Sequence, residues 1–112
     1  MLSEIVLAVL IRTHQPQEIT PAAARRYVRQ LAAADGYQHE WSCIDELVRR
    51  ESRWRWNADN PHSSAHGLFH LLRLRPNTPI GDQWERAKRY AEKRYAGAFC
   101  NALEHHNRAG WW

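Results

Sequence analysis

Apolar residues recur with a helical period along most of this chain. Ile44, Leu47, Val48 and Glu51 stand at i, i+3, i+4 and i+7, the stripe by which an amphipathic helix meets a core. Asp45, Glu46, Arg49 and Arg50 fall largely off that stripe, where charges pair at i, i+4. Ser42 is the expected N-cap, Asp45 its capping-box-like partner, and the helix is expected to end near Arg53. An earlier helix is predicted over residues 22–34, with Thr20 as N-cap, Pro21 in the first helical position and Asp35-Gly36 as its stop. A third fits residues 82–94, where Trp84, Ala87, Ala91 and Tyr95 keep a roughly helical spacing, and a short fourth fits residues 99–106. The turn formers from Asn57 through Ser64 predict a compact loop. Residues 67–72 are a short apolar segment, strand or helix, entered through Gly67, and residues 76–81 are another loop. Residues 2–12 are expected to be a short, mainly aliphatic helix or strand, followed by a polar linker. The expectation is a mainly α fold: an N-terminal segment over residues 1–19 and one domain over residues 20–112.

Composition narrows this only a little. A chain of 112 residues with 44% hydrophobic content builds one core without needing cross-links. Six tryptophans are more than so small a core ordinarily requires, so they either fill it to the rim or offer a face for stacking. The net charge of +4 suits polyanionic partners such as nucleic acid, acidic lipid or a bacterial wall. The apolar run over residues 5–11 is too short to cross a membrane. With Glu4 at its start and His14-Gln15-Pro16-Gln17 after it, it is also a poor signal peptide, so a wall-directed protein would need another route. Cys43 and Cys100 form no CxxC unit, and the residues leave a disulfide and two buried thiols equally open.

Glu51 carries the chemical expectation. It is an acid at a stripe position, near the helix C-terminus and followed by Trp54 and Trp56. Burial disfavours the ionised carboxylate and raises its pKa. A glutamic acid that keeps its proton beside aromatic walls is the general acid of a glycosidase. The competing reading has Glu51 lying on the surface, paired with Arg53 or Arg55. His62, His66 and His70 recur every four residues, but Pro61 and Gly67 break the helix that a zinc pair needs, the internal glutamate is missing and His105-His106 is unaccompanied; no metal or cofactor is expected. Arginines at positions 25, 26, 49, 50, 53, 55, 73 and 75, with Trp54 and Trp56 among them, allow a nucleic-acid reading. Glu51 is unhelpful in a phosphate channel, and nucleic acid is not the expected partner.

The ordered set Trp41-Ser42-Cys43-Ile44-Asp45-Glu46-Leu47, Arg50-Glu51-Ser52-Arg53-Trp54, Asn57-Ala58, Asn60-Pro61, Ser63-Ser64-Ala65 and Gly67-Leu68-Phe69 resembles the soluble lytic transglycosylase family, in the small form of actinobacteria and their phages. Arg89-Tyr90-Ala91, Arg94-Tyr95-Ala96, Cys100-Asn101-Ala102-Leu103 and Gly110-Trp111-Trp112 resemble that family's tail in order and approximate spacing. The likeness spans roughly residues 20–112. It departs from the pattern at His66, His70, Ala96, Phe99 and Leu103, where the family has a tyrosine, glutamine, glycine, proline and tryptophan.

The resemblance implies a lysozyme-like domain, with the Glu51 helix as one wall of a sugar groove and residues 57–70 as the other. It implies cleavage of the β-1,4 bond between N-acetylmuramic acid and N-acetylglucosamine by Glu51 alone, closing a 1,6-anhydro ring. It suggests Ser52, Ser64, Gly67, Leu68, His70 and Tyr90 as substrate-binding residues, and pairing of Cys43 with Cys100 outside a reducing compartment. The implied partner is the peptidoglycan strand, reached by a phage particle or by lysis-dependent export, with virion components as further partners. Alternatives are a two-acid lysozyme using Glu51 with Asp59, and a non-catalytic wall-binding or structural descendant of the fold.

Overall fold

The computed structural model describes residues 19–112. Helix α1 (Pro21–Ala34) starts as its sequence demands: Thr20 Oγ1 accepts the Ala23 amide at 3.1 Å, and Pro21 follows at the first position. A 3₁₀ turn, Gln38–Glu40, leads directly into α2 (Trp41–Ser52), whose C-cap, Arg53, is left-handed. Two short strands, β1 (Ala65–His66) and β2 (Leu71–Leu72), pair as an antiparallel hairpin, Ala65 opposite Leu72 and His66 opposite Leu71. Helices α3 (Ile80–Tyr95) and α4 (Phe99–Ala109) complete the described chain. It is a small, mainly helical domain, and no described helix is long and apolar enough to cross a membrane. The expected N-terminal segment, including its aliphatic run, lies outside the described residues apart from Ile19, which packs on the core.

Several boundaries differ from expectation, each for a local reason. Helix α2 begins at Trp41 with Glu40 in the cap position, because the 3₁₀ turn already points the chain into the helix; Ser42 is therefore inside it. Asp45 does not close a capping box. Its carboxylate accepts Arg25 Nε and Nη2 at 3.0 and 2.9 Å and Trp54 Nε1 at 2.9 Å. Helix α3 begins at Ile80, two residues earlier than expected, with Pro79 O accepting the Gln83 amide. Helix α4 runs on to Ala109, where Gly110 at φ 80° ends it. Residues 67–72, expected as a short strand or helix entered through Gly67, form the turn and the second strand of the hairpin.

The core takes one stripe from each helix: Val28 and Leu31 from α1, Ile44, Leu47 and Val48 from α2, Trp84, Ala87 and Ala91 from α3, Phe99 and Ala102 from α4. Trp84 and Phe99 stack at 5.5 Å, and Tyr37 meets both rings edge-on. Such pairs contribute about 0.5–1.5 kcal/mol each beyond their burial. Trp41, Trp54, Trp84 and Trp112 are buried, so four of the six indoles belong to the core, and Trp111 alone is exposed as a large ring. Gln83, fully buried on the α3 stripe, ties the hairpin to the helix. Its Oε1 accepts the Leu68 amide, while its Nε2 donates to the carbonyls of Trp56 and Thr78.

Candidate functional site

Helices α2 and α4 lie side by side in the same direction. Cys43 and Cys100 are joined by a disulfide near their starts, with Cα atoms 5.1 Å apart. At the same end, Glu40 accepts the Phe99 and Cys100 amides with its two oxygens, capping α4 from another helix. At the far end, Glu51 Oε1 meets His106 Nε2 at 2.9 Å. Glu51 Oε2 lies 3.7 Å from His70 Nδ1, beyond a direct hydrogen bond. His70 is left-handed at φ 46°. The same carboxylate thus faces an imidazole from α4 and another from the hairpin turn.

The Glu51 side chain retains only 14% of its exposure. Burial raises its pKa; the charge and hydrogen bond of His106 pull the other way without cancelling the rise. The hydrogen bond between the two rests on one proton that either partner can carry, from imidazole N–H to carboxylate or from carboxylic O–H to ring nitrogen. His70 titrates below the ordinary imidazole range, first because of burial and then because of the Arg55 charge. Its Nε2 is buried without a partner among the described residues.

Glu51 opens on a cavity of about 610 Å³. The hairpin contributes His70, Leu71 and Leu72, and the chain end contributes Trp111 and Trp112. The remaining wall is the face of α3 carrying Arg86, Arg89, Tyr90, Lys93 and Arg94, at i, i+3, i+4, i+7 and i+8. Among the described residues, Glu51 is the one carboxylate side chain in this lining. Tyr90 donates its hydroxyl to the Trp112 carbonyl, and burial raises its pKa, with the nearby Glu51 charge adding to the rise. Trp112 in turn donates Nε1 to the Phe69 carbonyl at 3.0 Å, which fixes the chain end as part of the wall.

Of the residues singled out from sequence, Glu51, His70 and Tyr90 meet at this cavity. The others lie outside its lining. Ser52 is buried and donates to the Val48 carbonyl; Ser64 accepts the Arg73 amide in the hairpin; Leu68 is core. Gly67, at φ 84°, is where the backbone passes Gln83 so closely that a Cβ would stand 2.4 Å from its Oε1. Of residues 57–70, expected as a second wall, only His70 reaches the cavity. Asp59 is exposed and meets His66 Nδ1 at 3.4 Å, while His66 Nε2 contacts Asn57 Oδ1. The histidine series is thereby divided between two environments, and among the described residues no group of three His, Cys, Asp or Glu is placed to hold a metal ion. Arg25, Arg49 and Trp54, part of the nucleic-acid reading, are engaged with Asp45 and Glu46.

His106 and the α3 cations were not singled out from sequence. For His106 the signal was present but uninformative: one of two adjacent histidines, with its partner 55 residues away. No family model, curated protein or solved structure matches this chain.

Proposed function

We propose that this domain is a lysozyme-like peptidoglycan lytic transglycosylase in which Glu51 is both acid and base. The observation that carries the reading is Glu51 itself: a largely buried carboxylate with a raised pKa, the one acid lining a cavity with aromatic and cationic walls. In its protonated form it donates to the glycosidic oxygen, and the bond from that oxygen to the muramoyl C1 breaks. The C6 hydroxyl of the same sugar then adds to C1, and the carboxylate takes the hydroxyl proton, returning to its starting state. A tethered hydroxyl replaces water, so a second carboxylate is unnecessary, and holding reactant and acid together provides the rate advantage. The two-acid alternative draws no support from Asp59, which is 73% exposed and directed at His66. His106 holds Glu51 in place and moderates its pKa, a positioning role. The proposed place of action is the cell wall.

The test is digestion of purified peptidoglycan, with mass spectrometry of the released fragments. Wild type is expected to leave 1,6-anhydro ends and Glu51→Gln to release nothing while keeping its circular dichroism. Reducing ends would replace the transglycosylase by a hydrolase. Equal release by both proteins would remove Glu51 from the chemistry.

A further inference from the structure

Four cations are already engaged with carboxylates inside the protein. Arg25 makes a two-pronged pair with Asp45, Arg49 and Arg50 share Glu46, and Lys88 lies between Asp35 and Glu85. The α3 face toward the cavity is built differently. Arg86, Arg89 and Lys93 are exposed and pair with no carboxylate among the described residues. Arg94, the fourth cation, lies over the rings of Tyr90 and Trp111 at 5.0 and 5.9 Å. Four positive charges therefore border a single concave space along about 12 Å of helix.

Like charges held side by side repel, and no ion pair with a carboxylate among the described residues offsets this row. An incoming anion does, and the guanidinium fork matches the oxygens of a carboxylate or phosphate. The apolar floor of Leu71, Leu72 and the exposed Trp111 ring suits the flat, CH-bearing face of a sugar rather than a bare ion. Glu51 lines the same space.

We infer that Arg86, Arg89 and Lys93 form a subsite for anionic substituents of the glycan, carboxylate or phosphodiester, beside the bond that Glu51 addresses. The favoured ligand is an acidic glycan strand; a neutral one such as chitin leaves the row uncompensated. The inference rests on the glycan-cleaving reading for the identity of the polymer, but it is tested by binding, without turnover.

The experiment uses full-length Glu51→Gln protein and insoluble wall glycan in three states: intact, with carboxylates amidated, and with phosphate polymers extracted. Affinity is expected to fall about tenfold in one treated state, and that state identifies the source of the anion. Combined Arg86→Gln, Arg89→Gln and Lys93→Gln in the same background should lose about tenfold on intact wall, bind the sensitive treated wall as their parent does, and bind neutral N-acetylglucosamine oligomers unchanged. Arg→Lys exchanges at positions 86 and 89 should restore most of the loss. Equal binding of the parent to all three walls, or undiminished binding by the triple variant, overturns the subsite. Tighter binding to single-stranded DNA than to any wall preparation also overturns it, in favour of a nucleic-acid groove. If the charge-dependent binding holds while wild type releases no fragments, the subsite stands and the catalytic reading falls.

Discussion

The two ends of α2 each carry a sheltered glutamate, and they are put to different use. Glu40 is 8% exposed, and both its oxygens accept backbone amides at the start of α4. Those amides are fixed donors; they hold a carboxylate but cannot take its proton. Glu51 is held instead by His106, with His70 nearby, and its remaining side is open to a cavity. Imidazoles exchange protons at ordinary pH. Burial alone therefore does not make a glutamate chemical: the partners decide whether it is a cap or an acid.

This contrast is broken most directly at Glu51. Glu51→Gln is expected to lower turnover on peptidoglycan by on the order of 10²–10⁴-fold, the usual weight of a general acid. Its effect on stability runs the other way. The folded pKa of Glu51 is raised, so its contribution to stability is intact below the unfolded value, about 4.5, and is lost as pH rises through the folded one. The variant should consequently melt higher than wild type at neutral pH, a gain that disappears in acid; calorimetry across pH checks this. Glu40→Ala should lose stability and keep activity. It strands two amides at the start of α4 and should cost about 2 kcal/mol in urea unfolding, with turnover per folded molecule retained.

His106→Ala sharpens the comparison further. It removes the charge and hydrogen bond that hold the Glu51 pKa down, so the alkaline limb of the pH–rate profile should move to higher pH. A purely structural histidine would lower the amplitude without moving the limb. The smallest effect is expected at Ala96, the left-handed C-cap of α3 at φ 53°. Ala96→Gly should gain up to about 1 kcal/mol in thermal unfolding by relieving that conformation, and should leave the pH profile alone.

The helices were legible because their stripes were. Val28 and Leu31, the α2 series and Trp84-Ala87-Ala91 all face the core as their spacing requires. The same logic that singled out Glu51 also applies to Gln83, a polar residue on the α3 stripe, and there the answer is a hairpin clamp. A stripe position tells that a polar group is sheltered, while its role depends on neighbours that are distant in sequence. His106 and Glu40 illustrate this, with partners 55 and about 60 residues away. The α3 cations carry no signal of their own in the sequence, because only the hairpin and residues 111–112 turn that face into a wall. The hairpin was hidden for another reason: its strands are two residues long, below any period that a sequence can display.

Two rods fastened together at one tip splay mainly at the other. The bond between Cys43 and Cys100 is such a fastening for α2 and α4, and Glu51 and His106 ride eight and six residues farther along, on the order of 10 Å away. The spacing across which their proton is shared is thus governed partly by a covalent link that touches neither. Surroundings that cleave the link would leave this alignment to the Glu40 cap and side-chain packing, making the redox climate a silent setting of the acid's strength.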